Sequence, residues 1–133
     1  MDDVLNYFGE ILIRDVRDKT IHRFDMRING KMQDENSQEL FEKVSKLNED
    51  SIRLIGEIIP QVVDLSIHNM LCMFEENMEI EVRVENECIS EITDGLAGEL
   101  YSEDGWIQKF SKQRHEEIVH KKADSPHPEL QSL

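Results

Sequence analysis

Residues 52–76, which read IRLIGEIIPQVVDLSIHNMLCMFEE, decide the fold of this chain. Their apolar side chains follow helical spacing but occupy most of the helix circumference, as in a helix surrounded by others in a bundle. Pro60 would kink this helix or divide it into two, because proline lacks the N–H that its turn requires. We therefore predict a mainly α fold, a helical bundle around one long central helix.

The same region is too polar to be a membrane span. Between Ile52 and Phe74 it contains Arg53, Glu57, Pro60, Asp64 and His68, which is too many for a membrane span. The chain begins Met1-Asp2-Asp3 without a basic region, so no secretory signal is visible. Its two cysteines, Cys72 and Cys88, form no disulfide framework and are expected to be reduced. We expect a soluble cytoplasmic protein.

Two helical patterns precede the central helix. The first has an apolar face formed by Val4, Leu5, Phe8, Ile11, Leu12 and Val16. A second apolar face, rotated away from the first, is formed by Ile21, Phe24 and Ile28. The helix therefore bends near Asp18, or a new helix begins there. Asn36 and Glu39 resemble a capping box, which predicts a short helix ending at Asn48. Residues 48–51, Asn-Glu-Asp-Ser, offer the cap of the next helix.

After Asn77 the apolar period changes to two, with Ile80, Val82 and Val84 on one face, which indicates a half-buried strand. A return strand over Cys88–Thr93 would complete a small antiparallel β-hairpin spanning about 79–93. Trp106 is expected to anchor a short final helix in the core. These elements predict a single domain over 1–111, followed by a frayed helix and a disordered tail over 112–133.

The charge of the chain excludes some partners. Its 29 acidic and 15 basic residues give a net charge of −14, which disfavours nucleic acids and anionic membranes. Residues 75–104 contain eleven acids and only Arg83 as a base, so this acidic segment carries most of the net charge.

The leading functional hypothesis is a non-catalytic interaction or inhibitor-type protein that docks a basic partner through the acidic segment. On the predicted hairpin, acidic side chains lie opposite the apolar face. Six of them are predicted to bind the partner: Glu79, Glu81, Glu85, Glu87, Glu91 and Asp94. An acidic surface that only keeps the protein soluble explains the same pattern.

A second hypothesis is a metal-dependent or acid–base enzyme. Asp64, His68 and Cys72 are spaced four residues apart and share one helix face, so they could hold a metal or move a proton. Asp15 and His22 fall on the extrapolated core face of the first helix and could complete the site, supported by Glu57. An ion pair of Asp15 with Arg14 or Arg53 explains that carboxylate equally well. The chain has no nucleophile elbow and no Glu-x-x-His, and we predict no cofactor.

Two further hypotheses concern the central helix. Its apolar circumference favours self-association into a homo-oligomer, because another surface would then cover it. A ligand pocket could also lie between the bundle and the hairpin, lined by Met70, Met73, Phe74 and Trp106.

The sequence GLAGELY at 95–101, followed by Gly105-Trp106-Ile107, resembles a segment of small bacterial proteins of uncharacterised function. The resemblance extends loosely over residues 1–111. It implies a bacterial, cytoplasmic protein and carries no catalytic or ligand-binding residue to this chain.

Overall fold

The fold is mainly helical, with one long central helix and a small antiparallel hairpin, as predicted. The computed structural model describes residues 2–113. In chain order its elements are α1 (Asp2–Leu12), a π-helical segment (Ile13–Asp18), α2 (Lys19–Ile28), α3 (Glu35–Ser45), α4 (Glu49–Glu76), β1 (Arg83–Val84), β2 (Glu87–Cys88), two 3-10 helices (Ile89–Glu91 and Ala97–Leu100) and α5 (Trp106–Phe110). Most of the tail predicted over 112–133 lies outside the described residues.

The π-helical segment explains why the two apolar sets of the first helices differ in direction. A π-helix takes about one more residue per turn than an α-helix, and one α-helical residue corresponds to about 100° of rotation. The segment therefore turns the apolar set of α2 back toward the side occupied by the set of α1. Leu5 and Leu12 before the segment and Ile21 and Ile28 after it are all buried.

Side-chain caps set the beginnings of the next two helices. The Ser37 amide donates to the Asp34 carboxylate at 3.1 Å, so the cap of α3 is Asp34, two residues before the predicted cap at Asn36. The Ser51 amide donates to Asn48 Oδ1 at 2.8 Å, which confirms Asn48 as the cap of α4. The 28 residues of α4 form one helix with Pro60 buried inside it, so proline does not divide the helix. Within residues 2–113, no helix is long and apolar enough to cross a membrane.

The main core combines residues of α1, α4, α5 and the second 3-10 helix; α4 packs on the second 3-10 helix and the π-helical segment, and α1 packs on α5. Trp106 is fully buried, as predicted, and meets the Phe8 ring edge to face with ring centroids 5.7 Å apart. Its indole lies against Gly9, where a Cβ atom would collide with the ring. The buried core residues are Leu5, Leu12, Ile13, Ile67, Leu71, Ile89, Leu96, Ala97, Leu100 and Trp106.

The hairpin is much shorter than the 79–93 span predicted from the alternating pattern. Only Arg83 pairs with Cys88 and Val84 with Glu87. Ile80 lies outside the strand and is exposed, and the expected return strand continues instead as a 3-10 helix over Ile89–Glu91. Two residues per strand make no extended acidic sheet surface, so the acidic side chains are arranged by loops.

Candidate functional site: an acidic cleft beside the hairpin

The end of α4 is tied to the loop that follows the hairpin. Glu75 accepts hydrogen bonds from the backbone amides of Leu96 at 2.8 Å and Ala97 at 3.3 Å. Two amides at the start of the second 3-10 helix are thus satisfied by a charged acceptor, which makes stronger hydrogen bonds than a neutral one. Asn77 ends α4, and its side-chain amide donates to the Met73 carbonyl at 2.9 Å. These contacts fix where the chain leaves the helix.

The turn of the hairpin and the loop after it are also held locally. Glu85 and Asn86 have φ angles of +52° and +70°, the backbone conformation of a two-residue turn that suits the twist of paired strands. Further along, the Thr93 hydroxyl donates to the Glu99 carboxylate at 2.6 Å and accepts from the Gly95 amide at 3.3 Å. The segment from Asn77 to Leu100 is therefore folded back toward the end of α4.

An open cleft of about 290 Å³ lies between the end of α4, the hairpin and this loop. Its lining combines apolar side chains, hydroxyl groups and carboxylates. The lining residues are Phe74, Glu75, Asn77, Met78, Ile80, Glu81, Cys88, Ser90, Glu91, Thr93 and Asp94.

The structure brings together three of the six acids predicted to bind a partner. Glu81, Glu91 and Asp94 line the acidic cleft and are exposed. Glu81 pairs with Arg83 at 2.9 Å, and this hydrogen bond raises the pKa of the arginine. Within residues 2–113, Glu91 and Asp94 form no ion pair, so their charges are available to a ligand.

The other three predicted acids lie outside the lining. Glu79 and Glu85 are exposed and Glu87 is half-buried, and no ion pair within the described part of the chain engages them. Alternation along a long strand had placed all six on one face. The short hairpin separates them, because residues 77–82 and 89–94 lie in turns, loops and a 3-10 helix.

Sequence reasoning missed the apolar and hydroxyl part of the cleft. Met78 and Ile80 are exposed and Phe74 is half-buried, whereas the pattern placed Ile80 on the inner face of a strand. The signal in the sequence was that apolar residues alternate with acids directly after a helix end. Of the pocket predicted around Met70, Met73, Phe74 and Trp106, only Phe74 lines this cleft.

The residues of the enzyme hypothesis are engaged by protein neighbours. The Asp64 carboxylate accepts from Arg17 Nε at 2.6 Å and Nη2 at 3.4 Å. His68 Nε2 lies 3.6 Å from Cys72 Sγ, and the histidine ring stacks at a tilt on Tyr101, with centroids 5.8 Å apart. Among the described residues, no three His, Cys, Asp or Glu side chains are grouped so that they could hold a metal ion.

Arg17 is the buried charge that the sequence did not indicate. Its guanidinium is 1% exposed and, besides Asp64, it donates to Asp18, to the Ser111 hydroxyl and to the Gln113 carbonyl at 2.7–3.2 Å. Asp18 in turn accepts from the Lys112 amide at 2.7 Å. We call this set the Arg17 network, and it joins the π-helical segment, α4 and the end of the described chain.

The core position predicted for Asp15 is wrong. The π-helical segment rotates Arg17 inward instead, and Asp15 and His22 are both exposed. Asp15 pairs with Arg14 at 2.9 Å, one of the two partners expected for it, and this hydrogen bond lowers the pKa of Asp15. Neither Asp15 nor His22 can therefore complete a buried site with Asp64.

Comparison of the chain with models of protein families, with curated proteins and with solved structures gave no match in any of the three.

Proposed function

We propose that this chain is a non-catalytic, cytoplasmic interaction protein that binds a basic protein through the acidic cleft. The observation that carries the proposal is the lining of the cleft, in which unpaired carboxylates of Glu91 and Asp94 stand beside exposed apolar side chains. A surface that only keeps a protein soluble carries dispersed charge, and apolar side chains at its centre would lower solubility.

The chemistry of the lining suits a lysine or arginine side chain of the partner. Such a side chain has an apolar stem and a charged head, and the two are commonly placed in different surroundings. The stem would contact Phe74, Met78 and Ile80, while the head would reach Glu81, Glu91 or Asp94. A cleft of about 290 Å³ accommodates one side chain of this kind rather than a large cofactor.

The remaining acids contribute at longer range. The acidic segment carries a net charge of −10 over residues 75–104, and this field would steer a basic protein toward the cleft. Attraction of this kind weakens as salt screens the charges. The association rate should therefore fall as salt is added, while the bound state depends on contacts within the cleft.

The test is capture of proteins from a lysate of the source cells on immobilised full-length chain, followed by release with increasing NaCl. The cleft variant replaces three lining acids: Glu81→Gln, Glu91→Gln and Asp94→Asn. The matched variant makes the same change in net charge outside the lining: Glu79→Gln, Glu85→Gln and Glu87→Gln. We expect a basic protein that is retained by the wild type, released by salt and lost selectively with the cleft variant.

Two results would contradict the proposal. Equal loss of the captured protein with both variants would mean that general charge, rather than the cleft, attracts it. Retention by both variants would mean that none of the six substituted acids is needed to bind the captured protein.

A further inference from the structure

The outward face of α4 is apolar along most of its length. Five large apolar side chains on it, which we call the α4 stripe, are between 41% and 58% exposed: Leu54, Ile58, Val62, Leu65 and Met73. Asn69 fills the one remaining position of the row and is also exposed. No Asp, Glu, Lys or Arg occupies any of these six positions.

This face points away from the core. The buried side of α4 is marked by Pro60, Ile67 and Leu71. With about 100° per residue, the centre of the α4 stripe lies about 170° around the helix from those residues. The solvent side of such a helix normally carries polar and charged residues. An uncharged apolar row in that place indicates a surface that another molecule covers.

The spacing of the row fits a second copy of the same helix. Positions 54, 58, 62, 65, 69 and 73 are separated by four, four, three, four and four residues, which reads identically from either end. Two copies related by a two-fold axis and packed antiparallel would therefore match every position. Val62 would meet the partner's Leu65, Ile58 the partner's Asn69, and Leu54 the partner's Met73.

Charge selects the antiparallel arrangement over the parallel one. The acidic segment follows the end of α4, so parallel pairing would bring two segments of net charge −10 together. Antiparallel pairing instead places the two α4 ends from which these segments continue at opposite ends of the helix pair. Like charges that face each other across an interface weaken association, so the antiparallel arrangement is favoured.

The available area is sufficient for association. The five exposed side chains present on the order of 500 Å² of apolar surface, at the upper end of what one patch on a monomer exposes. Two copies would bury roughly 1,000 Å² before any flanking residue is counted, the area at which a specific interface becomes credible. We infer that the chain forms an antiparallel homodimer through the α4 stripe, independently of what the acidic cleft binds.

The first test compares the full wild-type chain with a double variant at the two-fold axis, Val62→Asp with Leu65→Asp, by sedimentation equilibrium. Both side chains are exposed in one copy, so the variant should retain its helical circular dichroism. We expect a dimer in the wild type and association weakened by roughly 100-fold or more in the variant, because unpaired charges would be buried at the axis. A control of equal charge, Tyr7→Asp with Val16→Asp, changes exposed apolar residues outside α4 and the acidic cleft and should leave the dimer intact.

Salt gives a second readout that is separate from partner binding. Each copy has a net charge of −14, so NaCl should strengthen the dimer by screening the repulsion between copies. The same salt should weaken binding of a basic protein. A monomeric full chain, whatever then covers the α4 stripe, would overturn the inference. A dimer that both Asp variants leave unchanged would overturn it as well.

The register can be tested by disulfide cross-linking in a background of Cys72→Ser and Cys88→Ala. Ile58→Cys and Asn69→Cys proteins should cross-link when mixed and should not cross-link alone. Antiparallel packing sets the two copies of position 58 about 16 Å apart along the axis. Efficient cross-linking of Ile58→Cys with itself would contradict the antiparallel arrangement.

Discussion

The Arg17 network and the acidic cleft use charge in opposite ways. Arg17 is buried and its guanidinium donates to Asp64, Asp18, Ser111 and Gln113. In the cleft, Glu91 and Asp94 are exposed and have no ion pair within residues 2–113. The first set holds three parts of the fold together, while the second leaves its charges open to a ligand.

The difference shows how to separate structural from functional charge within one chain. A buried charge is tolerated only when its partners are present, so removing a partner damages the fold. An exposed unpaired acid contributes little to folding and changes stability little when neutralised. Stability and binding should therefore respond to different substitutions.

Arg17→Met should produce the largest loss of stability. It leaves the Asp64 and Asp18 carboxylates without their buried partner, and breaking a buried pair in this way costs about 3–5 kcal/mol. The free energy of unfolding in urea measures this loss. Arg14→Met, at the exposed pair three residues earlier, is the control and should leave the urea midpoint almost unchanged. Similar effects of the two variants would mean that the Arg17 network does not hold the fold.

Glu75→Gln should have the next largest effect. Glu75 belongs to the acidic segment but accepts from the Leu96 and Ala97 amides, and hydrogen bonds to a charged group contribute roughly 1.5–3 kcal/mol. Part of this should remain in the variant, because the Gln carbonyl can still accept, so we expect a loss of about 1 kcal/mol. Glu76→Gln removes the same charge one residue later without such contacts and should not lower the free energy of unfolding. Equal free energies of unfolding for the two variants would mean that the hydrogen bonds of Glu75 do not stabilise the fold.

Tyr101, which contacts His68 near the Arg17 network, should titrate later than an ordinary tyrosine. Burial and the nearby Asp64 carboxylate raise its pKa above the usual value of 10.0. The folded state thus disfavours the phenolate, and the associated stability is present below the unfolded pKa and is lost as the pH rises through the folded one. Absorbance at 295 nm during an alkaline titration should lose its later component in Tyr101→Phe. Loss of the earlier component instead would mean that Tyr101 is not the tyrosine with the raised pKa.

Neutralising the acids outside the cleft should have the smallest effect. Glu79→Gln, Glu85→Gln and Glu87→Gln together should leave the free energy of unfolding unchanged or slightly higher at low salt, because repulsion within the segment falls. Urea unfolding at low and high NaCl measures this. A marked loss of stability would show that these carboxylates have structural partners and belong with the Arg17 network.

Much of the helical fold could be predicted from local patterns, because caps and apolar faces depend on neighbouring residues. Asn48 as the cap of α4 and Trp106 as a core residue are examples. The π-helical segment could not be read in this way, since extrapolation at a fixed 100° per residue placed Asp15 inside and overlooked Arg17. The cleft also depends on distant contacts, such as that between Glu75 and Leu96, so the sequence indicated its acids and not its shape.

Binding of basic side chains in the acidic cleft can be tested directly by a nuclear magnetic resonance titration of the ¹⁵N-labelled full chain with a decalysine peptide at low salt. We expect the amide shifts to concentrate at Ser90, Glu91 and Thr93, and we expect the cleft variant and high NaCl each to abolish them. The exposed acids of α3, Glu35, Glu39 and Glu42, serve as an internal reference on the same molecule. Shifts of equal size at α3 and at the cleft would contradict the claim, because the peptide would then be following charge alone.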